Sequence, residues 1–279
     1  MIYEERPAPP ELAGIVSRLW FLEAPPTRRF EKILPLPFVH VIVNLSDPYR
    51  LFDRRGAAAT VSDAFVSGLQ SEYLVIESPP LIRHVGMELT PAGLQTMAPD
   101  AAAATAGTVQ DARAVLSGMD DLVRDLRAGG ATDAQAALDL VHKYAVDGRI
   151  RDPDPLVEAT LDLIGADPDA RIGPVADRLG VSHRTLIARF RAATGTSPKQ
   201  HAQVLRFHRF VDTVHATGAA PDWARLAAAS GYYDQPHVIR AFRRFSGWTP
   251  AEYYRLVEEH GPDAAHFVPL EHVPEPAKR

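Results

Sequence analysis

The stretch Phe190-Arg191-Ala192-Ala193-Thr194-Gly195-Thr196-Ser197-Pro198 returns 52 residues later as Phe242-Arg243-Arg244-Phe245-Ser246-Gly247-Trp248-Thr249-Pro250. Upstream, Ala176 and Gly180 return 51 residues later as Ala227 and Gly231, so the second copy carries one extra residue. Each copy reads as helix, tight turn, helix. A small residue, Ala176 or Ala227, lets the two helices approach closely. Gly180 or Gly231 suits the left-handed conformation that ends the first helix. Ser182 and Asp234 are capping residue types for the second helix, and Pro236 falls in its first turn, where a missing N–H costs little. Leu186 with Phe190, and Val238 with Phe242, lie four apart and share an inward face. Gly195 and Gly247 end the second helices. Ser197-Pro198 and Thr249-Pro250 then open the next helices, each with a cap followed by proline. The pattern predicts a first helix over 156–165 and a connecting helix from Pro198 to about Ala216. A helical solenoid needs about three or more copies to bury a core. Two copies fit a pair of helix-turn-helix units.

Charge separates this region from the rest of the chain. The whole sequence of 279 residues has a net charge of −5. Residues 171–257 hold 13 Lys and Arg against 5 Asp and Glu, whereas residues 1–170 hold 15 against 25. A basic block in an acidic chain is the footprint expected of a phosphate-binding domain with a separate second domain. The absence of cysteine removes disulfides, thiolate nucleophiles and cysteine-bound zinc. No apolar run is long enough to span a bilayer, and the acidic, proline-rich start lacks the basic and apolar regions of a signal peptide. A cytoplasmic protein without membrane contact is expected.

The first part reads as mixed β and α, a small barrel or sandwich with helices. The fold class is therefore α+β: an N-terminal mixed domain followed by an all-α double helix-turn-helix domain. Phe38–Leu45 alternates with a period of two, so Val39, Val41, Val43 and Leu45 share one face and Phe38, His40, Ile42 and Asn44 the other. Further strands are expected at 49–52, 64–69, 73–77 and 82–89. Asp53-Arg54-Arg55-Gly56 reads as a turn, and Thr90-Pro91 as a helix start with threonine as its cap. Helical spacing covers 119–128 and 134–144. The run 149–155, with two prolines, marks a boundary. The domains are taken as 1–150 for sensing or dimerisation, 153–259 for DNA binding, and 260–279 as an extended tail with four prolines.

The run from Leu226 to Tyr254 resembles the AraC/XylS signature: an Ala, three residues, Gly, an aromatic, then a Phe-basic-basic segment closed by Gly-x-Thr-Pro and a Tyr. Ala227, Gly231, Tyr232, Phe242-Arg243-Arg244, Gly247-Trp248-Thr249-Pro250 and Tyr253 carry the match. Pro236-His237-Val238 stands where many members have Ser-Tyr-Phe. Leu19-Trp20, Ile33-Leu34-Pro35, Asn44-Leu45, Phe65–Gly68 and Gly86–Leu94 resemble an uncharacterised N-terminal domain found on some AraC-like regulators. Leu36-Pro37-Phe38 replaces the polar residues usual there. The resemblance implies transcription regulation, usually activation through RNA polymerase, with one chain binding two adjacent major-groove segments of double-stranded DNA. It also implies a small-molecule effector or a homodimer formed through the N-terminal domain.

The second helix of a helix-turn-helix enters the major groove by its N-terminal end. With Leu186 and Phe190 inward, His183, Arg184, Ile187, Ala188 and Arg191 face outward. The second copy offers Gln235, Pro236, Ile239, Arg240 and Arg243, with His237 alongside. Arg184 and Arg240 suit guanine O6 and N7, and Gln235 suits adenine N6 and N7. Ile187 and Ala188 suit thymine methyls. Arg191, Arg243 and Arg244 suit phosphates, which position without specifying. His237 either reads DNA or packs between helices.

No catalytic residues, cofactor or metal ion are expected. His201, His208 and His215 recur every seven residues, about 10.5 Å apart along a helix, too far for one ion. G-x-S-x-G, G-x-x-x-x-G-K-[ST] and G-x-G-x-x-G are all missing. Glu88, Gly86 and His84 share one strand face, read as a surface ladder in preference to a pocket lining. Trp20 and Trp223 are assigned to cores. Two enzymatic readings stand as alternatives: a DNA-targeted enzyme, revealed by turnover on DNA, and a small-molecule enzyme in the N-terminal domain, revealed by a polar pocket with apolar walls.

Overall fold

The computed structural model describes all residues except 27, 62, 131–132, 217–234, 262–265 and 274–279. Eleven strands are described: β1 (Ile2–Pro7), β2 (Val16–Ala24), β3 (Phe30–Ile33), β4 (Val39–Asn44), β5 (Tyr49–Phe52), β6 (Ala58–Val61), β7 (Ala64–Ser67), β8 (Leu74–Glu77), β9 (Ile82–Leu89), β10 (Val109–Asp111) and β11 (Phe267–Leu270). The described helices of the N-terminal part are α1 (Gly93–Met97), α2 (Ala102–Thr105), α3 (Ala112–Val115), α4 (Met119–Asp125) and α5 (Ala134–Asp147). Those of the C-terminal part are α6 (Pro155–Ala166), α7 (Ile172–Arg178), α8 (His183–Thr194), α9 (Pro198–Ala216), α10 (Gln235–Ser246) and α11 (Pro250–His260). No helix among the described residues is long and apolar enough to cross a membrane.

The strands form two antiparallel sheets, in the orders β1-β2-β9-β4-β7-β10 and β11-β3-β8-β5-β6. The period-two pattern of β4 decides how the first sheet packs. Val39, Val41 and Val43 are buried with Val85, Met87 and Leu89 of β9 against Leu138 and Val141 of α5. His40 and Ile42 point to the opposite face, toward the second sheet. Between the sheets, Phe65 of the first meets Tyr49, Leu51 and Ile76 of the second. The turn at 53–56 forms as expected, with Asp53 accepting from the backbone of Arg55 and Ala57, and Gly56 at φ 80°.

Two expectations about where helices start need correcting. Helix α1 begins at Gly93, and its N-cap is Ala92 without a side-chain bond. The Thr90 hydroxyl instead donates to the Gly14 carbonyl at 2.8 Å, so it ties two loops together and caps nothing. Asp154, read from the sequence as part of a linker turn, is the N-cap of α6 and accepts from Leu156 N at 2.9 Å. Arg189 of α8 also reaches Asp154, which pins α6 to α8.

The C-terminal helices do not hang free of the sheets. Ala92 packs with Val157, Phe190 and Ala193, and Leu34 and Val268 join the core of α9, α10 and α11. The extended tail is also anchored: β11 pairs with β3, Phe267 opposite Ile33 and Leu270 opposite Phe30. Burying each large aliphatic or aromatic side chain of such a seam stabilises by roughly 1.5–3 kcal/mol.

Candidate nucleic-acid interface and effector cavity

The two repeat copies arrive at the same local chemistry. Helix α8 starts at Ser182, whose hydroxyl accepts from Thr185 N at 3.0 Å, and stops at Gly195, φ 70°. Helix α9 opens on the Ser197 hydroxyl, which accepts from Gln200 N at 3.2 Å, while Gln200 Oε1 accepts from the Ser197 hydroxyl at 2.9 Å. Helix α11 opens on a full capping box of Thr249 and Glu252, and the glycine before it, Gly247, has φ 80°. In copy one, Leu186 and Phe190 are buried; in copy two, Val238 and Phe242 are. Phe207 and Phe210 of α9 both contact Phe242, at ring separations of 5.0 and 5.3 Å. The connecting helix is thus the core on which copy two is built. Ala227, Gly231, Asp234 and Trp223 lie outside the described residues.

Burying those apolar pairs leaves one polar face on each second helix. On α8, His183, Arg184, Ala188 and Arg191 are exposed and Ile187 is half-buried. On α10, Pro236, Arg240, Arg243 and Arg244 are exposed and Ile239 is half-buried. The side chains of Gln235 and His237 lie outside the described residues. Arg244 is engaged within the molecule. Its guanidinium donates to Gln203 Oε1 at 3.2 Å, and its carbonyl accepts from Arg54 of the N-terminal domain at 2.8 Å.

Between the sheets lies a cavity of about 810 Å³. Trp20, Leu22, Ile42 and Phe65 line it from the first sheet, and Leu51, Leu74 and Ile76 from the second. His208 of α9 and His266, just before β11, border it as well. The face read from the sequence as a surface ladder is therefore interior: His84 and Glu88 are buried and line the cavity. The second sheet and the tail cover that face, and β9 by itself carries no sign of them. Trp20 is corrected likewise. It is half-buried on the cavity wall, and a Cβ on Gly86 opposite would come within 3.3 Å of its ring and 2.4 Å of the Val41 carbonyl.

One rung across β2, β9 and β4 places Arg18, Glu88 and His40 side by side. Arg18 donates to Glu88 through Nε at 3.1 Å and Nη2 at 3.0 Å. His40 Nε2 and His84 Nε2 are buried without a hydrogen-bond partner. Burial pushes the His40 imidazole below its ordinary range, against the pull of the Glu88 carboxylate, and pushes His84 down to about 4. Both rings are held neutral, leaving two unsatisfied nitrogens in a largely apolar chamber.

A second contact joins the domains at the far side. Lys32 of β3 is buried, and its Nζ lies 3.4 Å from the Trp248 ring centroid and 4.1 Å from that of Tyr73. It donates to the Ser246 carbonyl, at the end of α10, at 2.9 Å. Burial, with the nearby Arg54, pushes the ammonium down to about 7. The two aromatic faces oppose that shift by favouring the charged form. No sequence signal marked Lys32, because its partners on the helical domain, Ser246 and Trp248, stand more than 200 positions away.

The profile of a helix-turn-helix domain matches residues 175–255, and that of a domain of unknown function, DUF6597, matches residues 4–111. No curated protein matches the chain. Two crystal structures of ToxT from Vibrio cholerae, one of them from strain O395, superpose over 85% of this chain with a TM-score of 0.50 and 10% identity, covering 98% and 97% of those chains. A DNA-binding transcriptional dual regulator from Escherichia coli K-12 covers 39% of the chain, at 22% identity and a TM-score of 0.34. The fold is thus the two-domain arrangement seen in ToxT. The chain thus carries an AraC-type helix-turn-helix domain behind a DUF6597 domain, the domain content of a DNA-binding transcription regulator.

Proposed function

We propose that this regulator reads two adjacent major-groove segments of double-stranded DNA with α8 and α10, and that the cavity between its sheets takes a small, largely apolar effector. The observation that carries the first half is the pairing of two glycine-terminated helices, each with a buried apolar pair and an exposed basic face. Arg184 stands at the N-terminal end of its face and Arg240 near the middle of its own, and a bidentate contact from either to guanine is worth about 1–3 kcal/mol of discrimination. Arg191 and Arg243 lie further along and serve the phosphates.

The second half is supported by the cavity itself: apolar walls, two unpartnered imidazole nitrogens, and residues from both domains around it. An effector seated there touches α9 and the β11 segment together, and so senses how the DNA-binding helices are held.

Selection of bound sequences from random duplex DNA tests the reading mode. The unmodified chain is expected to enrich a two-part site. Arg184→Ala is expected to relax preference in one half and Arg240→Ala in the other. Uniform weakening in both variants, with no change in preferred sequence, would overturn the assignment to base contacts.

A further inference from the structure

We propose that His208, Asp212 and His266 form a binding site for one zinc-class divalent ion, fastening the C-terminal segment to helix α9. His208 and Asp212 are four residues apart, so they project from the same face of α9, the spacing at which a helix supplies two ligands to one metal. The third group comes from beyond α11. Asp212 accepts from His208 Nδ1 and from His266 Nε2, each at 3.0 Å. One ligand atom from each of the three lies within 4.8 Å of the others. Tetrahedral zinc, with bonds of about 2.0–2.2 Å to nitrogen and oxygen, sets its ligands roughly 3.3 Å apart. Each imidazole already stands about that far from one of the two Asp212 oxygens, His208 Nδ1 from Oδ2 and His266 Nε2 from Oδ1, at 3.0 Å each. Gathering all three on one ion takes an adjustment of the carboxylate and of the two rings, which now stack 4.6 Å apart and 12° from parallel.

The chemistry of the set selects the ion. Two imidazoles and one carboxylate favour zinc and its neighbours over calcium or magnesium, which prefer all-oxygen shells. Three protein ligands leave a fourth position for water. The competing account is a hydrogen-bonded latch without metal, in which both rings donate to the carboxylate. That account explains the 3.0 Å contacts equally well, and it predicts no saturable metal binding. The site was illegible in the spacing of His201, His208 and His215. The relevant partner of His208 is not another histidine of its helix but one 58 positions later, in the tail.

The test uses the untagged full-length chain, stripped with chelator and titrated with zinc chloride by calorimetry. Cobalt(II) serves in parallel as an absorbing substitute. One equivalent is expected to bind, with intense visible cobalt bands typical of a tetrahedral site. His266→Ala and Asp212→Asn are each expected to weaken binding by about a hundredfold or more, since loss of an outer partner alone costs about 10–100-fold. His142→Ala, which removes a histidine held by Glu11 far from the site, is expected to bind like the unmodified chain. Zinc is also expected to raise the Tm of the unmodified chain and leave that of His266→Ala unchanged. Absence of stoichiometric binding overturns the site, as does equal affinity in Asp212→Asn and the unmodified chain. Asp212→Asn alters one oxygen and keeps the helix, so it decides the matter even if His266→Ala fails to fold.

Discussion

Single side chains carry most of the pH behaviour of this molecule. His84 and His201 are both buried, and burial alone pushes each down to about 4. In the unfolded chain each would titrate near its ordinary value of about 6.5. Between these two values the unfolded state binds more protons than the folded one, so stability is full above about pH 6.5 and drains away as the pH falls toward 4. The Tm is expected to drop steeply over that window, and His201→Gln is expected to flatten part of the drop. Lys32 acts in the alkaline range. Its lowered value means that the unfolded chain holds the proton more tightly between about pH 7 and its ordinary value of about 10.4, so stability rises with pH there. Thermal unfolding from pH 7 to 10 should show that rise in the unmodified chain and lose it in Lys32→Met. Arg191 tests electrostatics of another kind. As a phosphate contact, Arg191→Ala is expected to weaken binding alike on all sequences and to reduce the slope of log affinity against log salt by about 1.

At the level of elements, the sequence was legible where structure is local. The caps at Ser182, Ser197 and Thr249, the glycine stops at Gly180, Gly195 and Gly247, and the extent of α9 all follow from neighbours within a few positions. Removing one such cap, as in Ser182→Ala, is expected to cost about 1 kcal/mol in denaturant unfolding. The alternation in β4 likewise assigned its two faces correctly. What escaped was every property set by a distant element: the covering of β9 that turns His84 and Glu88 inward, the lodging of Lys32 against Trp248, and the pairing of β11. The tail is a case in point. Its prolines suggested only extended chain, yet an edge strand tolerates a proline such as Pro269. Gly195 shows a local signal with a distant consequence. Its φ of 70° suits a helix stop, but a Cβ there would also sit 2.5 Å from the Ala103 carbonyl. Gly195→Ala is therefore expected to cost more than the roughly 1 kcal/mol of an ordinary left-handed position, because the α2–α8 contact must open as well.

For the molecule as a whole, the cavity is the largest cost to packing and the clearest opening for control. Leu51→Phe adds apolar volume to a chamber of about 810 Å³, and is expected to hold or raise the Tm while excluding an apolar probe that the unmodified chain is expected to take up. Loss of probe binding together with unchanged affinity for DNA in the absence of effector would separate sensing from reading. The path of the chain adds a constraint of its own. It leaves the sheets at α6, builds the DNA-binding helices, and comes back to lay β11 against β3. The helical part is consequently spliced into the sheet part, held at entrance and exit, and is not a trailing appendage. With the Ala92, Leu34 and Lys32 contacts added, any displacement of the helices against the sheets requires some of these attachments to let go. Strand β11 thus belongs to those attachments as much as to the tail.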